Sequence, residues 1–494
     1  MQEEAFDVVV VGGGGAGLAA AIEARAAGCT VVLLEKNDRL GGSTAWSVGS
    51  ITATGTPHQR RAGIADRPED HYADMPLFAG ELAPRDNDAL RRILCEEVPD
   101  AFRWLLGLGV RFTGPMPEPP HRQPRMHNVL PNSLSYIHHL QRHARRIGVN
   151  IRLGARATAL LQESGTVTGV VCGERRFRAR RGVILAAGDF TNDPELKTRY
   201  MGAQQAKVEG VNVNATGDGH KLALALGARI VNGDLALGPE LRFIAPARVT
   251  LVRRLPPWRA LARAMEWALR YAPQRVLRPF VMGFLTTALA PSAALFERGA
   301  VLVNRAGHRF CDELDQPAFA LPDQPGKVGY IVMDGRLARL FSAWPHFVST
   351  APGVAYAYVP DYRRNRVDVY RQAASIADLA GKLGVDAEAL RMTIAEYNVS
   401  VPSSEGARAR LPLAEPPFIA LGPVRAVFVH NEGGLAIDRE QRVLDADDQP
   451  IPGLYAAGAN GQGGLLLKGH GHHLAWAFVS GRRAGRIVAQ ASAQ

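Results

Sequence analysis

Residues 6–35 read FDVVVVGGGGAGLAAAIEARAAGCTVVLLE. Phe6–Val11 is a continuous apolar, β-branched run, the pattern of a strand buried on both faces of a parallel sheet. Gly12-x-Gly14-x-x-Gly17 follows, then a helix-forming stretch from Leu18 to Ala27 that Gly28 closes. Thr30–Leu34 is a second apolar strand, ending at Glu35, 18 positions after the last glycine of the motif. This is a βαβ unit with a phosphate cradle. Gly12 makes the tight turn, Gly14 lets the backbone approach a pyrophosphate, and Gly17 packs helix on strand. The helix N-terminus offers free N–H groups and positive potential. Glu35 stands where an adenosine ribose would donate to it. The unit predicts an α/β, Rossmann-like fold and a bound dinucleotide, and by itself serves FAD and NAD equally.

The composition is that of a large globular chain. A chain of 494 residues predicts two or three domains. At 47 % hydrophobic and 21 % charged it is globular, not collagenous, coiled-coil or disordered. Cys29, Cys95, Cys172 and Cys311 lie far apart with no CxxC, which excludes a cysteine-based zinc or iron–sulfur module and suits a reducing compartment. The N-terminus is acidic, with no basic n-region or cleavage site, so a cytoplasmic protein is expected. The formal charge is +11, yet only seven of the 58 basic residues are Lys. Arg and Ala richness of this kind also follows from genome composition, and no nucleic-acid partner is expected.

The next glycine pair narrows the cofactor. Leu40-Gly41-Gly42-Ser43-Thr44-Ala45-Trp46-Ser47 sets two glycines beside two hydroxyls, a turn whose N–H and O–H groups can reach a flavin and its phosphates. A nicotinamide enzyme has no need of it. Here the chain resembles the fumarate reductase/succinate dehydrogenase flavoprotein family, and the GGSTAWS stretch is most similar to its 3-ketosteroid dehydrogenases. The likeness continues through Gly182–Gly188 (GVILAAG), Thr216–Gly219 (TGDG), Ala300–Glu313 (AVLVNRAGHRFCDE), Gly433–Asp438 and Gly453–Gly458. It implies FAD, held noncovalently because the covalent-flavin His of membrane succinate dehydrogenases has no counterpart. The cofactor contacts it implies are Gly12, Gly14, Gly17, Glu35, Lys36, Gly41, Gly42, Ser43, Thr44, Ala187, Gly188, Asp218, Gly458, Asn460, His473 and Leu474. Asn460 would stand in for the family's ribityl contact, since Ala459 occupies the usual position.

The resemblance also implies a Rossmann-like FAD domain, residues 1–240 and 430–494, split by an inserted α+β cap at 241–429. The residues themselves agree at the C-terminus. Ile451–Gly458 reads as a strand into a Gly turn, followed by a helix over about 472–489. That helix N-terminus would face the flavin pyrimidine ring, where its dipole favours negative charge. Residues 113–131 hold six Pro and read as an ordered loop or lid.

For chemistry, the resemblance points to His430, just before Gly433-Gly434, as a ligand for a substrate carbonyl or carboxylate; a buried structural His at a domain junction is the alternative. Lys468 falls where fumarate reductases place a substrate-binding Arg, and Gly471 where ketosteroid dehydrogenases use a backbone N–H on the ketone oxygen. His470 is a further catalytic candidate. His470, His472 and His473 come without an acid or Cys, so no metal is expected there. Pro317 replaces the proton-donor Arg of fumarate reductases, and Ala245 replaces their His at the start of the cap. Both losses argue against fumarate. The activity implied is oxidation or reduction of a CH–CH bond next to a carbonyl, with hydride transfer to or from flavin N5, on a lipophilic ketone such as a 3-ketosteroid. The alternative is an enoate or carboxylate enzyme of the tricarballylate or urocanate type. Either needs an electron partner: quinone, another flavoprotein or oxygen. Tyr136, Tyr356 and Tyr358 are candidate bases by residue type only.

One segment stands outside these motifs. Residues 248–290 carry eight Arg against a single acid, Glu266. Trp258, Leu261, Ala262, Met265, Ala268, Leu269 and Ala272 follow helical spacing, with Arg259, Arg263, Glu266 and Arg270 on the other face. Residues 279–296 have no charge, but Pro291 argues against a spanning helix. Two readings stand: a cap helix packed on its own domain, or a segment, 248–296, that attaches the protein peripherally to the anionic inner face of a membrane.

Overall fold

The computed structural model describes residues 2–245, 254–271, 278, 282, 286, 289–351, 355–401 and 410–493. Along the chain, Gln2–Val11 is β1, Gly15–Ala26 α1 and Val31–Leu34 β2. Pro68–Ala79 is α2 and Asp88–Leu108 is α3. Asn150–Arg152 is β3, Arg175–Leu185 β4, Glu240–Phe243 β5 and Arg259–Tyr271 α4. Val301–Asn304 is β6, Gly329–Met333 β7, Phe418–Phe428 β8, Pro450–Ala456 β9 and His472–Gln490 α5.

β1 runs parallel to β2 and β4, with Val8 opposite both Val31 and Gly182. β9 extends this sheet beyond β4 and β3 extends it beyond β2, again in parallel. Val8–Val10 and Val183–Leu185 are fully buried, as continuous apolar runs must be when both faces of a sheet are covered. On one face α1 and α5 touch backbone to backbone. A Cβ at Gly481 would lie 2.3 Å from the Ala16 carbonyl oxygen, and one at Gly485 equally close to that of Ala20. Both pairs advance in the same direction, so the helices are parallel. Their N-termini therefore face the same side, the carboxyl edge of the sheet, where ligands of open α/β folds bind.

A second sheet is built on β8, which pairs antiparallel with β5 and β7, while β6 flanks β7. It has its own apolar core, running from Val208 to Phe428. The first core takes residues from Val8 to Ala228 and again from Leu435 to Val488. Two short antiparallel ribbons lie where the chain passes between the cores. One pairs Ile230-Val231 with Gly434-Leu435, the other Ala236-Leu237 with His430-Asn431. They hold residues 430–435 at the junction.

The Pro-rich stretch is ordered. Arg111–Met116 and Met126–Leu130 are paired strands. The loop between them is tied down by buried Arg125, which donates to both Asp66 and Asp74. α4 corrects one expectation. Its apolar stripe packs inward: Ala262 is buried and Leu261, Met265 and Leu269 are half-buried. Trp258 does not join that stripe; it is exposed, as are Trp267 and Tyr271, alongside Arg259, Arg263 and Arg270. Residues 248–253, 272–277, 279–281, 283–285 and 287–288 of the basic segment lie outside the described residues. Among the described residues no helix is long and apolar enough to cross a membrane.

Candidate active site

The Gly12–Gly17 turn is shaped by backbone contact. Gly12 is at φ +110°, and a Cβ on Gly17 would sit 1.9 Å from the Gly12 carbonyl oxygen. Gly14 is the N-cap of α1 and supplies no side chain, so beyond the Gly15 N–H, which Thr44 takes, the first turn of the helix is left open to a ligand. The Gly41-Gly42 turn docks on this loop, with Gly41 N–H donating to the Gly13 carbonyl and Gly15 N–H donating to Thr44 Oγ1 at 3.1 Å. Ser43 Oγ accepts from Asn212 Nδ2 at 2.9 Å.

Glu35 is buried, and its carboxylate accepts from Gly13 N–H at 2.7 Å and from the backbone and side-chain amides of Asn37. A carboxylate has about four acceptor sites, so one remains for a ribose hydroxyl. Lys36 and Asp218 are turned toward each other. Lys36 Nζ is 3.0 Å from Asp218 Oδ2 and donates to Thr216 Oγ1 at 2.6 Å, and Arg156 adds a third bond. These partners hold the Asp218 carboxyl below the ordinary range although burial pushes it up.

At the far end of the cradle, Asn460 is fully buried. Its Oδ1 accepts from Ala187 N–H at 3.1 Å, while its Nδ2 has no partner. Gly188 follows that strap at φ +85°, and Gly458 N–H donates to Ser480 Oγ at 2.8 Å. α5 begins at Gly471, a left-handed N-cap that again supplies no side chain, with His473 and Leu474 in its first turn. Two helix N-termini with glycine N-caps, a side-chain-free turn and an orphaned buried amide fit a flavin dinucleotide lying along the carboxyl edge of the sheet.

Beside this cradle, three of the residues singled out from sequence meet around one that was not. His430 Nε2, Lys468 Nζ and His473 Nε2 lie 3.6, 3.6 and 3.7 Å from Glu432 Oε1. The two imidazole rings are 3.7 Å apart at 45°. Glu432 is fully buried. Its Oε2 accepts from Gln462 Nε2 at 2.7 Å and Leu467 N–H at 3.1 Å, but its Oε1 makes no hydrogen bond, nor do the two facing His nitrogens. Burial pushes the Glu432 carboxyl up; the facing His473 and His430 outweigh this and hold it well below the usual carboxylate range. Burial and the neighbouring His473 lower the pKa of His430.

The other two histidines of the 470–473 cluster go elsewhere. His470 makes two bonds to Glu118 Oε1, from its backbone N–H at 2.8 Å and through Nδ1 at 2.5 Å; this carboxylate raises its pKa. His472 is fully buried against His71 and His121. Gly471 is held by Thr52, whose N–H donates to its carbonyl. Tyr136 is withdrawn as a base: it is fully buried in the first core and donates to the Gly49 carbonyl. Tyr356 packs on Trp344 and Phe347, and Tyr358 starts the helix Val359–Asn365. Neither is among the groups around Glu432. Glu313 holds a hairpin, accepting from Leu302 N–H and pairing with Arg309.

Glu432 lay in plain view in HNEGG, and in a chain with seven Lys a buried acid near Lys468 could have been sought as its counter-ion. Glu118, inside the Pro-rich stretch, carried no such signal.

A model of the FAD binding domain family matches residues 7–251 and 263–465. Over 474 residues the chain is 28 % identical to the NADH:fumarate oxidoreductase of Klebsiella pneumoniae (strain 342), covering 92 % of this chain but 44 % of that protein. It is 25 % identical to the 3-oxosteroid 1-dehydrogenase of Mycobacterium tuberculosis (strain ATCC 25618 / H37Rv), covering 93 % of each. Among solved structures, the open conformation of a flavocytochrome c3 fumarate reductase superposes with a TM-score of 0.73 at 25 % identity, over 99 % of this chain and 78 % of that one.

Proposed function

Because the chain belongs to the FAD binding domain family and is an FAD-dependent oxidoreductase of the fumarate reductase type, we propose that it oxidises or reduces a CH–CH bond next to the carbonyl of a neutral, lipophilic ketone such as a 3-ketosteroid. In this reading residues 1–240 and 430–494 hold the cofactor and 241–429 form the cap. Bound in its cradle, FAD supplies two-electron hydride chemistry.

The observation that carries the choice of substrate is the Glu432 carboxylate beside Lys468. A free cation would attract a carboxylate substrate. A cation balanced by a buried carboxylate 3.6 Å away offers donors without net charge. Such a site suits a ketone oxygen. Pro317 and Ala245, where fumarate reductases carry an Arg and a His, point the same way. Lys468 and the Gly471 N–H polarise the carbonyl and His430 binds it. The likeness to 3-oxosteroid 1-dehydrogenase is consistent with this substrate class.

The test is competition for the chemically reduced enzyme. A neutral cyclic enone is expected to reoxidise it faster than fumarate, urocanate or another unsaturated acid at equal concentration. Faster reoxidation by an acid would give the site to the carboxylate branch of the family.

The reading extends to location, the inner face of the cytoplasmic membrane. Trp258, Trp267 and Tyr271 are 64, 66 and 62 % exposed on and beside α4, interleaved with exposed Arg259, Arg263 and Arg270. Amphipathic aromatics with arginines suit the headgroup layer of an anionic bilayer, from which a lipophilic substrate could be drawn. The lipid-facing side is thus the aromatic and arginine side of α4, not the apolar stripe packed on the protein. Co-sedimentation with phosphatidylglycerol vesicles at low salt, reversed by added salt and weakened by Trp267→Ser with Tyr271→Ser, is expected. Wild-type protein that stays in the supernatant at low salt would refute attachment.

A further inference from the structure

Behind the start of α5 lies a cluster that the reaction does not use. His71 from α2, His121 from the loop at 117–125 and His472 from α5 are buried together. Their ring centroids stand 5.4, 5.3 and 5.3 Å apart, a nearly equilateral triangle. One ligand nitrogen from each ring lies within 4.8 Å of the other two. Phe78 closes over the His121 and His472 rings. We propose that His71, His121 and His472 form a three-histidine binding site for a divalent transition metal of the zinc class, which fixes the N-terminus of α5 behind the active site.

The spacing is what a metal requires. Imidazole nitrogens bind Zn²⁺ at about 2.0–2.1 Å, and in three- or four-coordinate geometry this sets ring centres about 5.1–5.5 Å apart. The orientation of the rings also fits. His472 Nδ1 donates to the Lys468 carbonyl at 2.6 Å, leaving the Nε2 lone pair facing the cluster. His71 Nε2 is 3.1 Å from that atom, close to the nitrogen spacing across a tetrahedral ion.

Without an ion the cluster is poorly satisfied. Arg125 donates to His121 Nδ1 at 2.8 Å, so the neutral ring carries its proton on Nε2, and that atom is buried with no partner. His71 Nδ1 is also buried without a partner, but ligation through Nε2, which contacts His472 Nε2 at 3.1 Å, leaves it so; the relief an ion brings is at His121 Nε2. Each such group costs about 1–3 kcal/mol. Ligation through His121 Nε2 places the ring proton on Nδ1, which requires Arg125 Nη1 to turn from that nitrogen wholly onto Asp74 Oδ2, its other partner at 2.6 Å. Local charge permits a cation. Arg125 and Arg122 are paired with three carboxylates, Asp66, Asp70 and Asp74.

The site is distinct from the cluster of His430, Glu432 and His473, which could also attract a metal. The experiment therefore separates the two. FAD-loaded protein is stripped with a chelator, then dialysed against Zn²⁺ alone, and protein-bound zinc is counted. About one zinc per chain is expected, with X-ray absorption showing nitrogen neighbours at about 2.0–2.1 Å. His71→Gln and His121→Gln, checked for retained FAD, are each expected to weaken binding by about 100-fold or more. His430→Gln is expected to keep it. No zinc on wild-type protein, zinc unaffected by His71→Gln and His121→Gln, or zinc lost in His430→Gln would each overturn the assignment. If both histidine variants lose FAD, nitrogen coordination in the wild-type X-ray spectrum decides: fewer than three imidazoles also overturns it.

Discussion

Lys468→Ala is expected to give a folded, yellow protein whose turnover falls by about 100- to 1000-fold, the loss seen when one preorganised donor is removed from a developing oxyanion. Lys468 is not part of the dinucleotide cradle, whose contacts come from the Gly12–Gly17 turn, the Gly41-Gly42 turn and Asn460. FAD content should therefore be unchanged. Glu432, left without its cation, keeps hydrogen bonds from Gln462 and Leu467 and still faces the His430 and His473 rings. The fold should survive for that reason. Lys468→Arg, which restores the charge but not its shape, should recover part of the rate. Steady-state kinetics with flavin content measured on the same samples checks this. Wild-type turnover in Lys468→Ala would remove the residue from the site.

Glu432→Gln is expected to act on specificity and on stability together. The amide preserves the shape and can still accept from Gln462 and Leu467, but it leaves the Lys468 charge unbalanced. Simple carboxylates should then bind about 10-fold or more tighter than to the wild type, while turnover of the ketone falls. Breaking a buried ion pair costs about 3–5 kcal/mol. The Lys468 side chain is 20 % exposed, so the lower end is expected. The pH dependence has a definite sign. Glu432 has a carboxyl pKa held well below its ordinary 4.5, so its contribution is present above that pH and is lost as the pH falls through the folded-state pKa. The stability gap between wild type and Glu432→Gln should therefore be widest near neutral pH and narrow in acid. An equal gap at all pH values, or unchanged carboxylate inhibition, would contradict the charge-balancing role.

Much of this architecture is legible because it depends on local patterns. A βαβ unit announces itself through an apolar run, three glycines and a terminal acid, and β1, α1 and β2 appear where those signals lie. The Gly41-Gly42 turn and α5 are legible for the same reason. The site chemistry is less so, because it is made by residues distant in sequence. Glu432 and Lys468 are brought together by the ribbon at 430–431 and the turn before α5. His71, His121 and His472 come from three elements with no shared motif. Periodicity ranked Trp258 with the apolar stripe of α4, but Trp258 precedes the first helical residue, Arg259, and so escapes the helical geometry on which that ranking depends.

A neutral ketone activated by Lys468 and its neighbours is the proposed substrate of this flavoenzyme. Its most direct test is an anaerobic visible spectrum of the purified yellow protein during titration with a saturated-ring 3-ketosteroid. The flavin band is expected to bleach in proportion to added steroid in the wild type, and at least about 100-fold more slowly in Lys468→Ala. A band that stays unchanged with the steroid in the wild type, but in the reduced enzyme is restored by an unsaturated carboxylate and not by the matching steroid enone, would contradict it.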